Sequence, residues 1–310
     1  MEARAHGGGV PSIKRGGVTA SLQSVGATGM IKPEAKHAIA AALRRARLIS
    51  DRDYLAAITG RPQMVVVSIP SYFKSPQSEI PLLMNDYREN GHNHRMAEQM
   101  LQETHLRHGS ELCQCHCREH SGCCRMEVEK VQRIENKALF HRFKVYEAAI
   151  AQDLSQRLDN HVEEVLLRGI HPWLQRLGCR NGLCKAANTV YLLHGTKQHN
   201  LDSVLKDGLR TKFSLHKSPD GLYGRGLYFA NNSCKAFQYA GHGGCIIVCR
   251  VVLGRIERLS DQCYSRFFAS PTFHSAMAEG KLTRAQAQAH DEYIVYNDDA
   301  VYPEFVLKMR

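Results

Sequence analysis

The chain has 310 residues, 43% hydrophobic and 23% charged, with 41 Lys and Arg against 30 Asp and Glu for a formal charge of +11. That length can bury a sizeable core as one large domain or two small ones. No apolar stretch approaches the roughly 18–20 residues that cross a bilayer, so no membrane partner is expected. The N-terminus, with Arg4, Gly7 to Gly9 and Lys14, lacks the apolar core of a secretory leader. A nuclear or cytoplasmic chain with its eleven cysteines mostly reduced is expected.

In chain order, residues 1–32 are rich in Gly, Ser and Ala without periodicity and read as a disordered lead. Pro33 and Glu34 open a helix that keeps Ile39, Leu43 and Ala46 at helical spacing. Ser50 and Asp53 stand at capping-box spacing for a second helix, which stops at Gly60. Val65, Val67 and Ile69 alternate like a strand ending at Pro70, and 73–93 read as a polar loop. Residues 33–93 thus form a small α/β extension of unassigned role.

A helix over 94–106 carries Met96, Met100 and Leu101 on one face, and a cysteine-rich run at 113–124 follows. Val128, Val131 and Ile134 lead into Asn136, an N-cap for a helix bearing Leu139, Phe143, Tyr146 and Ile150. Residues 161–167 read as a short helix, with Trp173 as core. The pattern then changes to short strands. Val190–Leu193 is one; Asn200 caps a short helix through Val204 and Leu205 to Gly208. Ile246–Leu253, apolar but for Arg250, is a run suited to a buried strand, and Tyr293–Tyr296 with Phe305–Leu307 complete the set. Helices early and strands late, without βαβ alternation, indicate an α+β domain over 94–310.

Three polar residues stand beside strand ends: His194 in Leu193-His194-Gly195-Thr196, Tyr228 in Gly226-Leu227-Tyr228-Phe229-Ala230, and Glu292 in Asp291-Glu292-Tyr293. Singly each has a bland explanation: a structural histidine, a core tyrosine, a solvated strand edge. Together with what lies between them they do not. His194-Gly195-Thr196 is followed by Asn200, then Gly208-Leu209-Arg210, then Gly224 to Ala230, then Lys235 and Tyr239. This order and spacing resembles the poly(ADP-ribose) polymerase family. Val131 to Lys137 and Tyr302-Pro303-Glu304-Phe305 are similar to the tankyrase-type catalytic domain.

The resemblance implies the ADP-ribosyltransferase fold: two packed, mostly antiparallel sheets with flanking short helices, here preceded by a small helical N-terminal region. It implies NAD as substrate, cleavage of the nicotinamide–ribose bond, and transfer of ADP-ribose to acceptor proteins, with extension to poly(ADP-ribose) left open. Glu292, His194 and Tyr228 are then the catalytic set. His194, Gly195, Thr196, Asn200, Arg210, Tyr228 and Tyr239 would bind NAD, and Lys235 would lie on the acceptor side. His194 would anchor the adenosine ribose, and Gly195 would offer its backbone to the nicotinamide carboxamide. The two tyrosines would clamp the ring, and Glu292 would polarise hydroxyl and nucleophile. The loop 211–225 would cover NAD, and 258–290 with His274-Ser275 would face the acceptor. About 90 residues precede the match, too few for an autoinhibitory helical domain plus DNA-binding fingers, so activity is not expected to require DNA breaks.

One position departs from the family: the serine expected eight residues after the triad tyrosine is Ala236. A weakly active, mono-transferring or merely NAD-binding member is the alternative this motivates. Gly224-Arg225-Gly226 precedes a strand and lacks the G-x-G-x-x-G spacing, which disfavours a Rossmann dehydrogenase. Cys113, Cys115, Cys117, Cys123, Cys124, His116 and His120 supply zinc-ligand chemistry, although alternate C-x-C spacing suits a tetrahedral site poorly. A zinc or nucleic-acid binding module over 1–125 is therefore a reading of a different class. The basic excess favours contact with an anion such as nucleic acid or poly(ADP-ribose).

Overall fold

The computed structural model describes residues 67–73, 80–85, 92–105, 126–156, 170–211, 221–264, 266–270, 272–283, 286–288 and 290–310. All belong to the unit Val65–Arg310. The expected lead at 1–32, the helices opening at Pro33 and Ser50, the run 113–124 and the helix at 161–167 lie outside the described residues.

Among the described residues one sheet runs in the order β1 (Leu82–Asn85), β2 (Val128–Glu135), β11 (Val301–Met309), β5 (Cys245–Val252), β3 (Thr189–Thr196), β4 (Leu227–Ala230), β10 (Glu292–Val295), β7 (Ser275–Ala278) and β6 (Ile256–Leu259). A separate hairpin joins β8 (Lys281–Thr283) to β9 (Gln286–Gln288). Only β6 and β7 pair in parallel among these strands. The expected α+β character holds, but the two packed sheets are replaced by a single sheet with a weak seam. β3 pairs with β5 over all eight of its residues, yet meets β4 through Leu193↔Ala230 alone. The seam divides the sheet into two arrays, so strands that look like two sheets in sequence remain joined.

Local chemistry explains the elements. β5 is buried at every residue between β11 and β3, as its apolar residues require, with Arg250 its one charged member. Asn136 caps helix α2 (Lys137–Gln156): its Oδ1 accepts the Leu139 N–H at 3.0 Å, and its Nδ2 donates to the Leu205 carbonyl at 2.9 Å. The remaining helices are α1 (His92–Glu103), α3 (Pro172–Arg180), α4 (Leu201–Asp207) and α5 (Ser233–Ala240). Trp173 is buried on α3, as expected. Gly208 ends α4 at φ +76°, a conformation glycine reaches without strain.

Three expectations change. The segment 73–93 contains β1, an edge strand paired antiparallel to β2 with Leu83 opposite Ile134, so the sheet reaches into residues set apart as an extension. Residues 67–70 form no strand. Pro70 instead opens a turn closed by the Phe73 N–H at 3.0 Å, and Phe73 packs edge-on against Phe140. Asn200 does not cap α4 through its side chain: its backbone is already helical at φ −87° and ψ −10°, and its Nδ2 donates to Thr196 Oγ1 at 3.1 Å.

A buried charge cluster ties the first array together. The register of β11 against β5 slips between Pro303 and Phe305, leaving Glu304 as the extra residue of a bulge. Its carboxylate accepts from Arg250 Nε at 2.6 Å and Nη2 at 3.0 Å, from Tyr191 Oη at 2.6 Å, and from Arg133 Nη2. Arg133 also stacks on Tyr72, 3.3 Å from the ring centroid.

Candidate functional site

His194, Tyr228 and Glu292 lie on β3, β4 and β10, three strands adjacent in the sheet. Ala230 sets the level: it is opposite Leu193 on one side and Glu292 on the other. Ile294 is opposite Tyr228, so Tyr228 and Glu292 are diagonal neighbours on one face of the β4–β10 pair. Positions separated by 34 and 64 residues in sequence thus meet at the seam.

His194 Nδ1 lies 2.9 Å from the Tyr228 carbonyl across that seam. A carbonyl only accepts, so Nδ1 carries the proton. Burial holds the imidazole pKa below its ordinary value, the Tyr228 hydrogen bond opposing more weakly. The ring is then neutral near pH 7, and Nε2 offers a lone pair.

Tyr228 is fixed at its far end. Its hydroxyl donates to the Gly224 carbonyl at 2.7 Å and accepts the Tyr223 N–H at 3.0 Å. Burial pushes the phenol well above its usual pKa. The ring packs against the small core of Tyr223, Leu259, Ala276, Ala278 and Ile294. With its hydroxyl committed, Tyr228 can serve only as an aromatic surface.

Glu292 is buried and paired with Lys235, Nζ to Oε1 2.7 Å. Burial alone would lower the Lys235 pKa, but the Glu292 charge, with Tyr239, overrides it and raises the value. The ammonium stands 5.5 Å from the centroid of Tyr239, whose side chain is 57% exposed. Lys235 and Tyr239 are one turn apart on α5 and present together.

Gly195 explains why α5 can sit so close. A Cβ there would lie 1.8 Å from the Ala236 carbonyl oxygen and 3.0 Å from the Ala240 nitrogen. The glycine lets the helix backbone press onto β3, a packing reason that spacing alone did not reveal. Ala236 itself is 2% exposed. Ser233 does not supply the missing hydroxyl, because its Oγ donates to the Leu101 carbonyl at 2.6 Å.

Thr196 and Asn200 join His194 at the end of β3 through their shared hydrogen bond. Arg210 is engaged elsewhere, its Nη1 3.3 Å from Asp298 Oδ2. Asp298 also accepts the Thr211 N–H at 2.9 Å. Sequence reading missed Asp298, whose partner Arg210 lies 88 residues away, and the local turn in which the Tyr223 and Gly224 backbone holds the Tyr228 hydroxyl. His274 and Ser275, expected on the acceptor side, both have partners within the fold. His274 accepts the Arg255 N–H at 3.0 Å and meets Asp153 at 3.1 Å, while Ser275 is buried and donates to the Leu253 carbonyl. Cys113, Cys115, Cys117, Cys123, Cys124, His116 and His120 lie outside the described residues. Among the described residues no cluster of three or more His, Cys, Asp or Glu could hold a metal.

The arrangement is a seam lined by a neutral histidine acceptor, a fixed aromatic face, an exposed tyrosine, and a carboxylate held by an ammonium. Such a set can anchor a hydroxyl, stack a flat ring and polarise a nucleophile.

A family model described as the poly(ADP-ribose) polymerase catalytic domain matches residues 109–292, more than half of the chain. Poly [ADP-ribose] polymerase 1 of Arabidopsis thaliana is 24% identical over 155 residues, covering 41% of this chain and 16% of that protein. Poly [ADP-ribose] polymerase 2-B of Oryza sativa subsp. japonica is 26% identical over 157 residues, 40% of this chain and 26% of the relative. A probable poly [ADP-ribose] polymerase of Dictyostelium discoideum is 24% identical over 190 residues, 59% and 44% respectively. The chain thus spans less than half the length of each of these curated relatives.

Proposed function

Because the chain belongs to the poly(ADP-ribose) polymerase catalytic-domain family, we propose that it is an NAD-dependent ADP-ribosyltransferase acting on protein side chains. The observation that carries this reading is the buried Glu292–Lys235 pair beside the His194–Tyr228 seam. NAD is the substrate, and the residues present suit it. The Nε2 lone pair of neutral His194 accepts a ribose hydroxyl. Tyr228, with its hydroxyl already bonded, and Tyr239 offer faces to the nicotinamide. Gly195, Thr196 and Asn200 line the end of β3 beside them. Arg210, held by Asp298, is assigned to the adenosine half.

The reaction breaks the bond between ribose C1′ and the nicotinamide nitrogen, and its electron pair leaves with nicotinamide. An acceptor lone pair forms the new bond to C1′, and the acceptor proton passes to solvent by way of Glu292. The carboxylate also opposes the positive charge that develops on the ribose. Lys235 sets the carboxylate's direction and borders the acceptor side. The formal charge of +11 favours anionic acceptor segments, nucleic acid or poly(ADP-ribose).

Ala236 supports a finer reading, with slower turnover or weaker NAD binding than a serine-bearing member. Neither Ala236 nor Ser233 offers the carboxamide a hydroxyl. The likeness to tankyrase-type domains rests on Val131 to Lys137 and Tyr302 to Phe305 and remains part of this proposal. Incubation with labelled NAD followed by gel resolution tests the whole: a ladder indicates elongation, a sharp band mono-transfer. Protein that carries no label and releases no nicotinamide would sink the transferase reading.

A further inference from the structure

The first turn of α5 spends three consecutive side chains on different neighbours. Ser233 bonds the Leu101 carbonyl of α1, Cys234 Sγ lies 3.0 Å from His290 Nε2, and Lys235 meets Glu292. His290, at a bend, and Glu292, the first residue of β10, stand two residues apart and both reach side chains of α5. Two rungs therefore tie α5 to the run into β10: thiol to imidazole, then ammonium to carboxylate. Cys234 is 4% exposed and His290 3%, so the thiol–imidazole rung is a polar contact made inside the protein, where it is directional. Either the thiol donates to Nε2 or Nε2–H donates to sulfur, and the contact survives both arrangements.

The backbone ladder fixes Glu292 against Ala230 and Ala278, and Asp291 accepts the Gly280 N–H at 2.9 Å. These bonds place the Glu292 backbone. They leave open where α5 brings its ammonium, since α5 packs chiefly on β3, β5, β4 and α1.

We infer that Cys234 and His290 form a positioning pair, whose contact registers α5 against the run into β10 and so sets where the Glu292 carboxylate points. The inference rests on the transferase reading of Glu292. Neither residue touches NAD in this role; each acts through Glu292 and Lys235. Misplacement of a catalytic group by about 1 Å can lower a rate by about a hundredfold.

Steady-state nicotinamide release and label transfer are measured for Cys234→Ala, Cys234→Ser and His290→Gln, each also in a Glu292→Gln background. The pair predicts kcat lower by about 10- to 100-fold in the alanine and glutamine variants, with KM for NAD within about twofold. Serine, which keeps a donor, recovers part of the loss. In the Glu292→Gln background the same changes lower residual NAD hydrolysis by less than about twofold, because the group they position is gone. A loss carried by KM, an unchanged kcat, or an equal loss in both backgrounds overturns the inference. Peptide-mapped alkylation of Cys234 by iodoacetamide, compared between native protein and His290→Gln, tests the contact without turnover. If the native protein cleaves no NAD, the transferase reading falls. The contact then stands only if His290→Gln speeds alkylation of Cys234, and an unchanged rate overturns it.

Discussion

At the scale of single residues, the proposed reaction asks His194 to accept a hydroxyl and Glu292 to polarise a nucleophile. His194 is half-buried and desolvation depresses its pKa, so it is neutral and accepting where an ordinary histidine begins to charge. The acid limb of kcat/KM is therefore expected below pH about 6.5, the ordinary histidine value, read from a pH–rate profile. The same shift acts on stability. With the folded pKa below the unfolded one, the His194 contribution is complete above pH about 6.5 and is lost as pH falls through the folded value. Ala236→Ser restores a hydroxyl on α5 and should lower KM for NAD by about two- to tenfold, the equivalent of one neutral hydrogen bond; an unchanged KM would show that the carboxamide is satisfied otherwise. His194, Tyr228 and Glu292 were named from the motifs around them, and the fold brings them to adjacent strands. The groups that hold them were not: Tyr228 is fixed by the backbone of Tyr223 and Gly224, Arg210 by Asp298 eighty-eight residues away.

Among elements, the seam between β3 and β4 and the approach of α5 create the site together. A single opposed pair, Leu193↔Ala230, joins the strands, and Gly195 admits the helix backbone. Gly195→Ala would place a methyl 1.8 Å from a carbonyl oxygen. It should cost about 1–3 kcal/mol by overpacking and push Tyr239 away from Tyr228. Thermal unfolding and NAD affinity would both report it, and a variant as stable and tight-binding as the native chain would contradict it. β5, α2 with its Asn136 cap, and the end of α4 at Gly208 were legible because apolar runs, caps and glycine act locally. β1 was not. Leu-Leu-Met-Asn has no alternation, and its strand state comes from pairing with β2. The joining of the two arrays among the described residues was likewise not legible, since one bridging pair across a seam leaves no trace in either strand's composition.

For the whole molecule, Glu304 links β11, β2, β5 and β3 through Arg133, Arg250 and Tyr191, and Arg250 Nη2 reaches Tyr72 Oη at 3.1 Å. Burial alone would raise the Glu304 pKa, but hydrogen bonds and charge from Arg250, then the charge of Arg133 and the Tyr191 hydroxyl, hold it below the usual carboxylate value. Its stabilisation is thus complete above pH about 4.3, the ordinary Glu value, and is lost as pH falls through the folded value. Arg250→Met leaves a buried carboxylate short of its main partner and should cost about 3–5 kcal/mol, with acid unfolding moved to higher pH in a circular-dichroism titration. A variant with native stability at pH 7 would show the cluster to be dispensable. The most direct test compares native and Glu292→Gln protein, folded alike, for label transfer from NAD carrying its label in the adenosine half. Transfer is predicted to fall by about 10²- to 10⁴-fold in the variant; transfer at the native rate by Glu292→Gln, or none by the native chain, would contradict the account.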